Sequence, residues 1–201
     1  MDAHLLKDIR QQKFNCLAAK SLHSLFLASF NRKNKVVDLL ALAVPALYVP
    51  VRYIAKDTVA MTIAEALWEC LAASLLVLAF LKLVYGWQDK AETHSKLLGE
   101  NIAHIAQINF LVAGLQNHTT TPEAARWFLM QSELDKLDAE SLAGITTEQR
   151  QLAYREATKE IGPHEVCEIC GASPWNSKPG SCQTCGLKPV KKGDSHHVQR
   201  H

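Results

Sequence analysis

Two apolar runs, VVDLLALAVPALYVPVRYIA at 36–55 and AEALWECLAASLLVLAFLKLVY at 64–85, dominate the chain. Thirteen uncharged residues stand together from Leu39 to Val51, and twelve from Cys70 to Leu81. A helix of about 20 residues rises roughly 30 Å, the thickness of bilayer hydrocarbon, so the pattern predicts a two-helix transmembrane hairpin over 36–87. Pro45 and Pro50 each remove a backbone donor and predict a bend in the first helix. Tyr48, Tyr53, Tyr85 and Trp87 stand near the run ends, where aromatic rings favour the membrane interface.

The flanking charge gives the hairpin a direction. Arg32, Lys33 and Lys35 precede the first run, and Lys82, Lys90 and Lys96 end or follow the second. The connection offers only Arg52, Lys56 and Asp57. Positive flanks stay cytoplasmic, so both termini are expected there, with the hairpin in the inner membrane. Glu65 and Glu69 share one helix face at the edge of the second run. A carboxylate there faces water, a partner or a pore, which makes these two acids, with Pro45 and Pro50, the candidate assembly residues. Each uncharged core is shorter than the roughly 18 residues of a strong membrane signal, so buried helices of a soluble bundle remain the competing reading.

Around the hairpin the pattern turns amphipathic. Leu5, Leu6, Ile9, Phe14, Leu17, Leu22, Leu25, Phe26 and Phe30 recur at helical intervals, predicting an amphipathic helix within an N-terminal segment 1–35. Residues 88–162 read as a cytoplasmic helical region. Leu98, Ile105 and Val112 repeat every seven residues, a coiled-coil-like seam that Asn101, His104 and Asn109 interrupt. Subunit contacts or packing against the first helix would both explain it. Pro122 after Thr121 opens another helix, in which Trp127, Phe128 and Met130 read as packing residues. Thr146, with Gln149 three residues on, caps a last helix that Gly162-Pro163 ends. His23, His94 and His104 read as packing or surface residues.

Beyond this helical frame, the cysteines add the one strong chemical signal. Cys167-Glu168-Ile169-Cys170 and Cys182-Gln183-Thr184-Cys185 are separated by eleven residues. Each CxxC turn aims two thiolates at one ion, and two turns close a tetrahedral shell, which predicts a structural Zn2+ in a small zinc ribbon over 163–190. A glycine after each second cysteine suits the turn geometry. Pro174, Trp175 and Val190 are the expected packing for so small a module, and His164 lies outside the filled shell. Cys16 and Cys70 are left over and read as small packed hydrophobes.

Charge narrows the partners. With 22 basic and 20 acidic residues the chain gives no general case for nucleic acid. The basic tail 191–201, with Lys188, Lys191 and Lys192, could touch nucleic acid or anionic headgroups, but no interleaved aromatic platform accompanies it. Phosphate-binding glycine loops, HExxH and GxSxG are missing from the sequence, so no enzyme is expected. The expected fold is an all-α membrane protein: a transmembrane hairpin, cytoplasmic helices and a C-terminal zinc ribbon.

The layout of a leading helix, two apolar spans, a long following helix and the stretch from Thr147-Glu148-Gln149-Arg150 to Tyr154-Arg155-Glu156 resembles the SLATT family of two-transmembrane effector domains. The CEIC-x11-CQTC ending resembles a mobile-element protein family named for that spacing. The first resemblance implies an oligomeric, pore-forming membrane effector of a bacterial defence system, triggered by a sensor protein. The added cysteine module departs from a simple effector. It leaves a second reading open, a membrane-tethered zinc-ribbon module that holds a protein or nucleic-acid partner.

Overall fold

A computed structural model describes residues 3–54, 59–116, 121–175 and 178–189. Five helices make up most of it: α1 (Ala3–Ile54), α2 (Val59–Val84), α3 (Trp87–Gln116), α4 (Thr121–Ser141) and α5 (Thr147–Ile161). Among the described residues there is no strand, only an isolated antiparallel bridge between Pro179 and Leu187. The chain divides into two compact units, Phe26–Thr93 and a second made of Met1–Leu25 with His94–His201.

The unit 26–93 is a helical hairpin. Lys82 Nζ bonds Asp38 Oδ1 at 2.6 Å, Lys33 lies 5.6 Å over the Trp87 ring, and Tyr48 stacks on Trp68 at 5.1 Å. Residue numbers rise along α1 as they fall along α2, so the helices are antiparallel. Two of the charges within the apolar runs, Asp38 and Lys82, thus neutralise one another. Two helices cannot cover each other on every side, and Leu42 and Leu76 are each about three-quarters exposed. Both α1 and α2 contain a stretch long and apolar enough to cross a membrane.

Two sequence expectations change here. The basic cluster at 32–35 does not end the leading helix, because Arg and Lys are good helix formers and α1 runs through it unbroken. Pro45 and Pro50 lie inside α1, where each lacks the N–H that would reach the carbonyl four residues back, which is the ground for the expected bend. Cys70 is exposed rather than packed. Gly86, with φ of 56°, supplies the left-handed residue that closes α2 and lets α3 begin.

The second unit is built on heptad spacing. On α3 the buried positions are His94, Leu97, Asn101, His104, Ile108 and Leu111, alternating three and four apart. On α4 they are Trp127, Gln131, Leu134 and Asp138, and on α1 Ile9, Cys16 and His23 recur every seven. Lys13 bonds Asn109 and His23 meets His94, so α1 and α3 are antiparallel. Cys16 bonds Gln131 and His23 meets Asp138, so α1 and α4 are parallel.

The predicted seam on α3 was therefore one position out. Leu98, Ile105 and Val112 have the right period, but they flank the buried stripe, with Ile105 and Val112 packed against its core cluster. His94, Asn101 and His104, which apolarity alone excludes, lie on the stripe itself. The layers grade from apolar to polar along α1. Ile9 packs with Ile108, Leu111 and Trp127; Cys16 donates its thiol proton to Gln131 Oε1 at 3.3 Å; His23 enters an imidazole–carboxylate network.

Thr146 caps α5 in a reciprocal box with Gln149, as the sequence suggests, and α5 ends at Ile161 before Gly162. Tyr154 of α5 meets Phe14 of α1 with ring centroids 4.9 Å apart, and Lys20 pairs with Glu160 at 2.6 Å. These contacts fasten α5 to the bundle, and α5 in turn holds the cysteine module.

Candidate metal centre

The two CxxC segments fold into the same small loop twice. In the first, Gly171 N–H bonds the Cys167 carbonyl at 2.8 Å and Cys167 N–H bonds the Ala172 carbonyl at 3.0 Å. In the second, Gly186 N–H bonds the Cys182 carbonyl at 2.8 Å and Cys182 N–H bonds the Leu187 carbonyl at 3.3 Å. Gly171 (φ 66°) and Gly186 (φ 69°) occupy the left-handed conformation that the sequence pattern predicts after each second cysteine. Ala172 and Leu187, the equivalent residues after each glycine, are both fully buried.

Between the loops the chain returns on itself only briefly. Gly180 N–H bonds the Gly186 carbonyl at 2.9 Å, beside the Pro179–Leu187 bridge. A side chain at Gly180 would run into the backbone of Lys188. The expected ribbon is thus reduced to two knuckles and one bridge.

All four sulfurs lie within 4.8 Å of one another, and Cys170 and Cys185 approach to 3.4 Å. A tetrahedral shell with bonds of about 2.3 Å needs sulfurs about 3.8 Å apart, so the set fits a four-coordinate thiophilic ion. Burial raises the thiol pKa values of Cys170 and Cys185. Burial also pushes the Cys182 thiol up, but N–H groups of Cys185 and Thr184, with the neighbouring thiols, outweigh it and bring that group to about 6. Backbone N–H groups aimed at sulfur favour the thiolate, the form that binds metal.

The module leans on α5. Gln151 Nε2 donates to the carbonyls of Cys182 at 3.3 Å and Gln183 at 3.2 Å. Tyr154 packs on the cysteine cluster. Burial first, and Cys167 second, raise the phenol to about 12, so it stays protonated beside the cluster.

The match covers far more than the cysteines. Residues 7–188 fit the family model described as Mobilome CxxCx(11)CxxC protein. The chain belongs to that family. Mobilome proteins of this family are named for the spacing that closes the four-sulfur site, and the matched span takes in α1 to α5 as well. No curated protein and no solved structure matches the chain.

The remaining predicted residues fall elsewhere. Pro45, Pro50, Glu65 and Glu69 are exposed on the hairpin helices. Lys188 is exposed just past the second knuckle, while Lys191, Lys192 and Val190 lie outside the described residues. Trp175 is 62% exposed under the Lys159 ammonium, so it does not form the core assigned to it; Pro174 is buried, and Ala172 and Leu187 with Tyr154 provide the packing. Sequence reasoning also missed Gln151 and Tyr154. Their signal was the three-residue spacing that puts both on one face of α5.

Proposed function

We propose that this mobilome-family protein is a membrane-embedded effector that assembles through its hairpin into a pore, with a structural Zn2+ module that couples assembly to a sensor protein. The observation that carries the reading is the hairpin itself. Its two apolar helices pair Asp38 with Lys82 yet leave their leucines uncovered. Such a surface suits hydrocarbon and further copies of the hairpin. Glu65 and Glu69, both exposed, would face water or a neighbouring copy at the membrane edge.

In this reading the hairpin sits in the inner membrane with both ends cytoplasmic, and a reducing compartment keeps the four thiols available to zinc. Zinc holds the two knuckles together and takes no part in a reaction, because four sulfurs leave no open position. The SLATT resemblance supports the pore-forming and defence parts of the proposal.

Expression of the full chain with and without Glu65→Ala and Glu69→Ala, scored by growth and dye entry, tests it. Unchanged permeability under every triggering condition would count against a pore. Carbonate extraction tests the membrane itself, since release of the protein into the supernatant would remove insertion.

A second reading, a membrane-tethered binding module, has its own observation. Ile169 is 73% exposed and Trp175 62% exposed on the knuckle surface. Binding of single-stranded nucleic acid to the full chain, compared with a Lys188/Lys191/Lys192 alanine variant over a salt series, separates the partners. Salt-insensitive, weak association would leave a protein partner.

A further inference from the structure

The densest buried chemistry outside the cysteines joins three helices. His23 of α1 is fully buried, and its Nδ1 faces His94 Nδ1 of α3 at 2.8 Å. Its Nε2 faces Asp138 Oδ1 of α4 at 2.9 Å. Asp138 also accepts from Asn101 Nδ2 of α3, at 3.2 Å to Oδ1 and 3.0 Å to Oδ2. His94 and Asp138 are 6% and 7% exposed, and Asn101 is fully buried.

This arrangement fixes where protons sit. A carboxylate only accepts, so His23 Nε2 carries a hydrogen. The two facing Nδ1 atoms share a single hydrogen, because a hydrogen on each would meet head-on. The neutral pair therefore has His94 Nδ1–H donating to His23 Nδ1. One added proton can be held on the far nitrogen of His94 with the bond intact. A second must go onto the facing side of His23 and break it. The separated histidines of an opened chain have no such restriction and take up both protons.

We propose that His23 and His94 form a single-bond proton site that latches α1 to α3, and that full protonation opens the latch. Titratable groups on all three helices neighbour the pair. Asp138 is the facing group from α4; Asp135, one turn earlier, accepts from Gln131 at 2.7 Å. On α1, Lys20 lies one turn before His23 and is held by Glu160 of α5. On α3, Lys90 lies one turn before His94, and none of Asp135, Lys20 and Lys90 can relieve the clash between two Nδ1–H groups. The latch also stands where both helices leave the bundle unit: His23 is close to its boundary at Leu25, and His94 directly follows Thr93. Acidification thus acts on the stretches of α1 and α3 that adjoin, along the chain, the residues of the other unit.

Hydrogen exchange of the full chain in detergent tests the latch. Peptides spanning 18–27 and 90–97 are followed by mass spectrometry from pH 7.5 to 5.5, with rates corrected for intrinsic exchange. One extra proton bound on opening makes the open fraction rise about tenfold per pH unit at the acid end. His94→Asn replaces the ring by an amide that can turn its oxygen toward His23, so folded His23 can take its proton with the contact kept, and opening should lose that slope. Metal release in acid would act on both proteins alike, so the difference between them reports the dyad.

A flat wild-type response, or an equal slope in His94→Asn, overturns the proposal. Nitrogen NMR of histidine-labelled wild type gives an independent check that needs no variant. Coupling between the two Nδ1 nuclei across the shared hydrogen is expected at pH 7.5 and should vanish as protection falls. Its absence at pH 7.5 also overturns the proposal.

Discussion

The contact between Gln151 and Gly186 allows the dependence of the metal centre on α5 to be measured as a coupling energy. Gln151→Ala removes an amide donor shared by two carbonyls, but the Cys182 carbonyl keeps its bond from Gly186 N–H at 2.8 Å. The loss is therefore one ordinary hydrogen bond, about 1 kcal/mol. That corresponds to about fivefold in metal affinity. Gly186→Ala puts a Cβ on a residue with φ of 69°, which costs about 1–2 kcal/mol. The new Cβ would also stand 2.5 Å from Gln151 Oε1 and 3.0 Å from its Cδ, so the Gln151 side chain must leave its carbonyls. The single variant should then lose both effects, about 2–3 kcal/mol in all. With Gln151 already alanine, only the backbone strain remains. The double variant should bind metal about fivefold more tightly than additivity predicts. Zinc affinity of the full chain, measured by competition with a chromophoric chelator at pH 7.5, supplies the four numbers. Strict additivity, or a Gln151→Ala variant that binds zinc like the wild type, would refute the claim that α5 steadies the second knuckle.

Other outcomes follow from the bundle and the leftover cysteines. Ile108 is fully buried among Ile9, Cys16, Leu111 and Trp127, so Ile108→Ala should cost about 2–5 kcal/mol, read as a lowered Tm of the helical signal. Asp138→Ala orphans the buried donors on His23 and Asn101, and at about 1–3 kcal/mol for each it should destabilise at least as much as many core truncations, by the same assay. Burial raises the Cys16 thiol to about 12, whereas an unfolded cysteine ionises near 8.5. The unfolded chain sheds that proton first, so stability should be full below about pH 8.5 and fall as pH rises toward 12; Cys16→Ala should flatten that alkaline decline in thermal melts. Cys70 is exposed and should react with a membrane-impermeant maleimide in mild detergent while Cys16 does not. In sealed membranes Cys70 should be protected, and rapid labelling there would argue against insertion.

The cysteine module was the most legible part of the sequence, because CxxC spacing and the two following glycines specify a local backbone almost by themselves. The boundaries of α5 were equally plain from Thr146, Gln149 and Gly162. Elsewhere the signal was diluted by long-range partners. His94, Asn101 and His104 look like interruptions of a helical stripe, and nothing local says that Asp138 and His23 lie opposite two of them. Trp175 looks like core by size alone, yet Tyr154, thirteen residues before the first cysteine, fills that place.

The graded layers along α1 bear on a hazard of long heptad helices. A helix with a seven-residue repeat can glide along its neighbours by one repeat and still offer a similar outline at each step. Here each step would be chemically wrong. A slip that carried Cys16 to the level of Asp138 would take from the carboxylate its imidazole donor, and one that carried His23 to the level of Gln131 would strand a ring between partners unsuited to it. Ile9, Cys16 and His23 thus work like the unequal teeth of a key, permitting one depth of insertion only.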